Sequence, residues 1–351
     1  MPSPRLVAVE TATPPHVLVQ TEVAARAAEV FKGKVFRTPD LLSIFENTGI
    51  KTRKAIRPMA WYGEQHGWAE RNEVYLEGAQ DLYVEVAQKA LNAAGLRADE
   101  IGALVTVSSS GISTPSLEAR VFGRMGYDPK VRRTPVFGLG CGGGAAGLSL
   151  AARIARENPD KPVLLVVVEL STLACRPDEA SKENIISTAL FGDGAAAAVV
   201  SAGPDAKGRE IIATGEHLWP DTLQIMGWRI DPLGFGVILA NYVPAFVSKN
   251  LAEAAGDFLK TAGLTHEQVG RYVCHPGGAK VVPAIEEALR LPHGSLDLER
   301  QTLAEYGNMS APTVLFILKQ AMERGVDGPI VASAMGPGFT AHFLALGADE
   351  A

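Results

Sequence analysis

The sequence predicts an α/β fold made of two halves with the same pattern, and three observations carry that expectation. Strand-like and helix-like segments alternate along all 351 residues. The run KPVLLVVVEL, residues 161–170, is apolar on both faces, as the centre of a covered sheet requires. The alternation pauses at a polar, Gly/Pro-containing stretch, Gly203 to Arg209, and then restarts.

In the first half, residues 79–95 repeat apolar side chains at helical spacing and stop at Gly95. IGALVTVSSS (101–110) reads as a strand, Arg120 to Met125 as a further helix, and TPVFGLG (134–140) as a strand ending in glycine. Gly142 to Arg156 is rich in small residues and reads as a buried helix; KPVLLVVVEL and GAAAAVVSAG (194–203) are strands. The second half gives helices at 245–262, 279–290 and 311–324, with strands at RYVCHP (271–276) and PIVASAM (329–335). No sequence repeat joins the halves; only the pattern recurs.

Composition narrows the function classes. Hydrophobic residues make up 47% and charged ones 21%, the balance of a folded globule. A net charge of −6 disfavours nucleic-acid binding, which needs a basic field. Three cysteines (141, 175, 274) form neither a disulfide framework nor a CxxC zinc pattern. A reducing, cytoplasmic setting is expected. Glu10 interrupts any secretion signal, and the longest aliphatic run, Val163 to Val168, is too short to span a bilayer. An anionic small ligand would need a local basic patch, for which Lys51, Arg53, Lys54 and Arg57 are available.

The sharpest motif is TPVFGLGCGGGAAGLSL (134–150): a strand, a glycine-lined turn holding Cys141, and a small-residue helix. A helix N-terminus offers unpaired N–H groups and partial positive charge, both of which favour a thiolate. The glycines at 140, 142, 143 and 144 would keep the approach to sulfur open and let backbone come close. Two other readings compete: a free cysteine often only packs, and Gly138 to Gly143 also satisfies the GxGxxG dinucleotide string, with Glu169 as its acid.

A thiolate needs a base or cation beside it. Of seven histidines, His275 stands out, ending the strand RYVC and opening the turn HPGG. Asn308, in YGNMS before an apolar helix, could donate a hydrogen bond to a developing oxyanion. Asn308 or Ser310 could equally cap that helix, and the two roles could be divided between them.

Taken together, GCGGGAAGL around Cys141, ALFGDGAAAAVV (189–200), VSKN (247–250), CHPGGAK around His275, YGNMSAPTVLFIL around Asn308 and GPGFTA (336–341) resemble the thiolase superfamily. The resemblance is closest to its chalcone synthase-like branch, the type III polyketide synthases. It implies a thiolase-like five-layer αβαβα fold in two similar halves, residues 1–205 carrying the nucleophile and 206–351 carrying the histidine and asparagine. It also implies a homodimer and no cofactor, with acyl-CoA and malonyl-CoA thioesters as substrates. By the same resemblance, Cys141 takes the acyl group, and His275 and Asn308 hold the malonyl thioester oxygen during decarboxylation.

The resemblance extends to a pocket. Phe191 matches an aromatic gatekeeper, and Ser109, Ser110, Gly336, Pro337 and Gly338 are expected to line the cavity. Thr114 is expected to border the partner subunit's cavity. Lys51, Arg53 and Lys54 are candidates for the CoA phosphates, and Asp193 has a structural role. Val237 replaces a second aromatic, Ala174 or Cys175 takes a pocket-shaping place, and Trp228 stands where plant enzymes often have glycine. The string MGW (226–228) resembles bacterial alkylpyrone and alkylresorcinol synthases. A fatty acyl starter and a pyrone or resorcinol product are therefore the expectation. A single-step ketoacyl synthase, a silent binding protein and a nicotinamide-dependent oxidoreductase are the alternatives.

Overall fold

In the computed structural model, residues 3–33 and 38–348 are described; residues 1, 2, 34–37 and 349–351 of the two expected halves lie outside them. The first half runs β1 (Arg5–Ala12), β2 (His16–Val19), α1 (Gln20–Val30), α2 (Thr38–Glu46), β3 (Thr52–Ala55) and α3 (Trp68–Ala94). It continues through β4 (Ala103–Val107), α4 (Leu117–Arg120), α5 (Phe122–Met125), β5 (Arg132–Val136), α6 (Gly143–Glu157), β6 (Val163–Leu170), α7 (Lys182–Leu190) and β7 (Asp193–Ser201). The second half begins with β8 (Arg209–Leu218), β9 (Met226–Asp231), β10 (Gly234–Leu239), α8 (Val243–Ala262) and β11 (Arg271–Cys274). It ends with α9 (Val281–Ala288), α10 (Asp297–Tyr306), α11 (Pro312–Glu323), β12 (Ile330–Gly336) and β13 (Thr340–Leu346).

Nine strands form one sheet in the order β11-β12-β13-β8-β1-β7-β6-β4-β5. The duplication hidden in the sequence is plain in the strand directions. From β1, successive neighbours β7, β6 and β4 pair antiparallel, antiparallel and parallel. From β8, successive neighbours β13, β12 and β11 do the same. The halves meet where β1 pairs β8 over only Arg5↔Glu210 and Leu6↔Arg209.

The layers follow from burial. Every residue of β6 is buried; Leu164, Val166 and Val168 pack on α3, while Val163, Leu165 and Val167 face α6 and α11. The helices α6 and α11 share that inner core with strands of both halves, including Val273, Ala332 and Leu344. On the far side, α8 and α9 cover Tyr272, Val331 and Phe343. This is the five-layer αβαβα arrangement. The helix read at 79–95 starts earlier, at Trp68, and stops at Gly95, whose φ of 67° closes it with a left-handed residue. Arg120 to Met125 is split at Val121 into two short helices.

The small residues of α6 are there for its neighbour. A Cβ built on Gly144 would lie 2.3 Å from the Ala311 carbonyl oxygen at the start of α11. That contact is with backbone, which no rotamer change relieves. Gly144→Ala should destabilise the fold by about 1–3 kcal/mol, seen as a lower urea midpoint. An unchanged midpoint would show that the two helices do not need their close approach.

Candidate active site

Cys141 sits in the single turn Gly140–Gly142 that leads into α6, and only 8% of it is exposed. His275 follows the last residue of β11, its N–H donating to the Ser333 carbonyl at 2.9 Å. Asn308 precedes α11. The three come from separate elements and line one cavity of about 370 Å³. Sγ of Cys141 lies 4.0 Å from Oδ1 of Asn308.

The Asn308 amide has one orientation. Its Oδ1 accepts the Ser310 N–H at 2.7 Å, and its Nδ2 donates to the Gly277 carbonyl at 3.2 Å. One Nδ2 proton is left for the cavity. No side-chain hydrogen bond caps α11, whose first residue is Pro312; Thr313 Oγ1 instead accepts the Met309 N–H that precedes it. Capping therefore does not consume the Asn308 amide. Ser310 is held at φ 61°, a left-handed conformation uncommon away from glycine, and that sets its N–H against Asn308.

Electrostatics put both reacting groups in neutral form. Burial pushes the Cys141 thiol up to about 11, opposed by hydrogen bonds with Ser310 and Asn308 and reinforced by the Glu169 charge. Burial pulls His275 down to about 4. Neither ring nitrogen of His275 has a hydrogen-bond partner among the described residues. A neutral imidazole on the wall of the same cavity as a protonated thiol can take its proton at the moment of attack. With its N–H, the same ring can donate to an oxyanion.

The glycines of the turn serve packing more than access. A Cβ at Gly140 would meet Pro337 at 2.8 Å, at Gly142 the His342 ring at 2.6 Å, and at Gly143 Val107 at 2.7 Å. The GxGxxG string here builds a packed turn beside the cavity, with Gly140 and Cys141 on the cavity wall. Among the described residues, no group of three or more His, Cys, Asp or Glu side chains could hold a metal ion.

The remaining expected residues divide. Phe191, Ser109, Trp228, Val237 and Pro337 line the cavity. Phe191 meets Trp228 edge-on at 6.3 Å, and Trp228 stacks on Phe235 at 5.6 Å while its Nε1 donates to the Ser109 carbonyl at 2.8 Å. Val237 is the cross-strand partner of Trp228. Ser110 does not line the cavity; its Oγ accepts the Leu170 N–H. Gly336 and Gly338 lie behind the wall that Met335, Pro337 and Phe339 form. Ala174 is buried away from the cavity, and Cys175 faces a separate chamber of about 50 Å³ behind Phe191. Thr114 is exposed and outside this chain's own cavity. Asp193 is structural, its carboxylate accepting the Ile56 and Thr172 N–H groups.

The basic patch needs correction. Arg53 is buried, with every hydrogen bond internal, so it cannot reach a CoA phosphate. Lys51 and Lys54 do not line the cavity. Two lysines that sequence reasoning missed, Lys182 and Lys280, do, and both are exposed. Nothing local marks them, because Lys182 begins α7 and Lys280 precedes α9, elements far apart in sequence that line one cavity only in the folded chain.

Glu169 was also missed as a wall residue. It is fully buried, both carboxylate oxygens accept the Ser109 N–H at 3.1 Å, and burial raises its pKa to about 7. As pH rises through about 7 it loses its proton, and its charge then opposes a thiolate at Cys141. Glu169→Gln should therefore speed alkylation of Cys141 by iodoacetamide above pH 7, roughly three- to tenfold, with little change at pH 6. Equal or slower alkylation of the variant at pH 8.5 would refute the coupling.

Comparison with known proteins agrees with this architecture. The chain matches the family descriptions of the chalcone and stilbene synthases, with the N-terminal domain at residues 3–204 and the C-terminal domain at 210–346. It is 40% identical over 347 residues to 1,3,6,8-tetrahydroxynaphthalene synthase of Streptomyces peucetius subsp. caesius, covering 97% of this chain and 92% of that one. The crystal structure of the synthase of that name from Streptomyces coelicolor A3(2), a bacterial type III polyketide synthase, superposes with a TM-score of 0.93 at 29% identity, covering 99% of this chain and all of that one. PKS-I from the brown alga Ectocarpus siliculosus gives a TM-score of 0.91 at 26% identity, covering 99% of each chain. The chain thus belongs to the chalcone and stilbene synthase family, the type III polyketide synthases, and is an acyltransferase.

Proposed function

We propose that the chain builds a compact aromatic polyketide by iterative decarboxylative condensation of malonyl-CoA, with Cys141 carrying the growing acyl group. The carrying observation is the meeting of Cys141, His275 and Asn308 in one buried cavity. His275 takes the thiol proton as sulfur attacks the starter thioester, and the CoA thiolate leaves with that proton. Malonyl-CoA then binds with its thioester oxygen against His275 and the free Asn308 N–H. Its carboxylate carbon–carbon bond breaks and carbon dioxide leaves. The enolate attacks the Cys141 thioester, one carbon–carbon bond forms, and the carbon–sulfur bond breaks to return the thiolate. Donors fixed where negative charge appears favour the transition state over the ground state. The chemistry calls on no metal or organic cofactor.

Malonyl-CoA is the favoured starter as well as the extender. A volume of about 370 Å³ is at the small end for ligand sites, about 300–1,000 Å³. The polar atoms of Ser109, Glu169, Ser171 and Ser310 on its wall suit a chain of ketone oxygens. The names of the relatives point the same way, since tetrahydroxynaphthalene synthases recur among them. A second reading keeps the fatty acyl starter and a pyrone or resorcinol product. It is favoured by the apolar chamber behind Phe191, lined by Leu18, Val23, Phe31 and Met59, which a moved Phe191 ring would join to the cavity.

A homodimer is supported by the open edge of β5, which among the described residues pairs only with β4, and by the exposed Ile112 and Phe137 flanking it near Thr114. Three free cysteines accord with a cytoplasmic setting, and among the described residues no helix is long and apolar enough to cross a membrane. Lys182 and Lys280, with no acidic partner among the described residues, are the proposed contacts for the CoA phosphates.

Mass spectrometry of products from malonyl-CoA alone, and then with a panel of acyl-CoAs, separates the readings. A polyhydroxylated aromatic from malonyl-CoA alone, absent with Cys141→Ala, is the expected result. Products only with long acyl-CoAs would favour the second reading, and single extensions would point to a ketoacyl synthase. Charge reversal of Lys182 and Lys280 to Glu should raise KM for malonyl-CoA about tenfold with kcat within about twofold, the gap narrowing in salt. An unchanged KM would move the phosphates elsewhere.

A further inference from the structure

Arg53 is 1% exposed and has no carboxylate in ion-pair contact among the described residues. What it holds is backbone. Its Nη1 donates to the carbonyls of Thr188 at 2.7 Å and Phe191 at 3.0 Å, at the C-terminal end of α7. Its Nη2 donates to Oε1 of Gln20 at 2.7 Å. Gln20 passes the restraint on, its Nε2 donating to the Ala189 carbonyl and to Thr48 Oγ1, both at 3.0 Å. These carbonyls are the unpaired acceptors of a helix end, where a cation also meets the negative end of the dipole.

The segment so held carries two functional groups. The Phe191 ring forms the wall between the cavity and the chamber behind it. The backbone of Asn308 is tied to the same segment, its N–H donating to the Leu190 carbonyl at 2.8 Å and its carbonyl accepting the Gly192 N–H at 2.9 Å. The Arg53 stem presses into the gap: a Cβ at Gly192 would be 3.3 Å from Arg53 Cβ, and one at Gly307 would be 3.4 Å from it. A single side chain thus fixes the strand crossing that aims both Phe191 and Asn308.

A purely stabilising role is a poor account of this residue. Burial pulls its pKa down to about 10, so it stays charged at neutral pH at the cost of desolvation. Its Nε is left without a partner among the described residues. Apolar replacements of buried ionic groups are often neutral or stabilising. A buried cation with incomplete compensation is better explained by the geometry it imposes.

We propose that Arg53 is a positioning residue for condensation, setting the Asn308 amide for malonyl decarboxylation and the Phe191 ring for chain-length control without touching substrate. This rests on the reading of Asn308 as an oxyanion donor. Cys141 and His275 are held by other elements, so starter loading is spared while later steps are not.

The test uses the full-length enzyme with Arg53→Met, Arg53→Lys and Gln20→Leu, and with Asn308→Ala as control. Four quantities are read: thermal unfolding midpoint, acyl loading of Cys141 by mass, carbon dioxide release from malonyl-CoA, and product distribution. Arg53→Met should load within about twofold of wild type, release carbon dioxide about 30- to 100-fold more slowly, and shift products toward different chain lengths. Arg53→Lys, with one ammonium for two diverging acceptors, should recover part of the rate. Gln20→Leu should show a milder form of the same split.

Loading and decarboxylation falling together, with wild-type product ratios, would overturn the proposal and leave Arg53 structural. Should Arg53→Met fail to fold, Arg53→Lys and Gln20→Leu decide by the same split. If Asn308→Ala decarboxylates malonyl-CoA like wild type, the reading of Asn308 fails; if it does not and the Arg53 variants do, the Arg53 proposal alone fails.

Discussion

Everything reactive in this fold depends on how closely α6 approaches α11. The two helices belong to different halves, lie in the central layer, and begin at the same place. Where they touch, one side presents Gly144 and the other a backbone carbonyl, leaving no space for even a methyl group. Side chains of ordinary size would hold such helices 8–10 Å apart. The closeness brings Cys141, at the entrance to α6, within 4.0 Å of the Asn308 side chain, at the entrance to α11. Two helix N-termini then face one cavity, and both contribute partial positive charge where anions form. His275 is added by β11, which the sheet places beside β12 and beneath the same opening.

The same packing buries the reacting groups, with chemical consequences. Removing water favours neutral forms, so the thiol, the imidazole and the Glu169 carboxyl all shift toward their uncharged states. A resting thiolate is therefore not what this site stores. It stores a geometry in which proton transfer, attack and oxyanion formation meet fixed dipoles instead of relaxing solvent. A buried carboxyl with a pKa near neutrality, hydrogen-bonded to the backbone of Ser109 in the cavity wall, adds a negative charge that titrates in the working range. Its ionisation opposes the thiolate, which ties cavity wall and nucleophile into one electrostatic unit.

Much of this was legible in the sequence, and the reasons are local. Cys141, His275 and Asn308 each end or begin a periodic element, which made them candidates, and the family resemblance of the motifs around them assigned their roles. β6 was legible because burial on both faces leaves an unbroken aliphatic run. The duplication of the halves was legible only as a recurring pattern, because its detail resides in strand direction and pairing, which leave no residue signature. Ser110 and Ser109 look alike as neighbours on a strand end, yet alternation sends one to the cavity and the other to the backbone of Leu170. Lys182 and Lys280 were invisible because only folding brings the ends of α7 and α9 together.

Arg53 shows most clearly where sequence reasoning stops. In GIKTRKAIRP it is one of four basic residues, and charge clusters usually lie in water. The strand β3 pairs with β2 and alternates, so Lys54 turns outward while Arg53 turns in. Arginine tolerates this better than lysine, because its planar fork reaches two diverging carbonyls and a side-chain amide at once. The Asp193 charge acts on it without ion-pair contact, so its position is specified by the backbone carbonyls and the Gln20 amide, and those carbonyls belong to the segment that carries a cavity wall and an oxyanion donor. A cation that would weaken the core if left unmatched instead turns the end of one helix into a fixed reference for the active site.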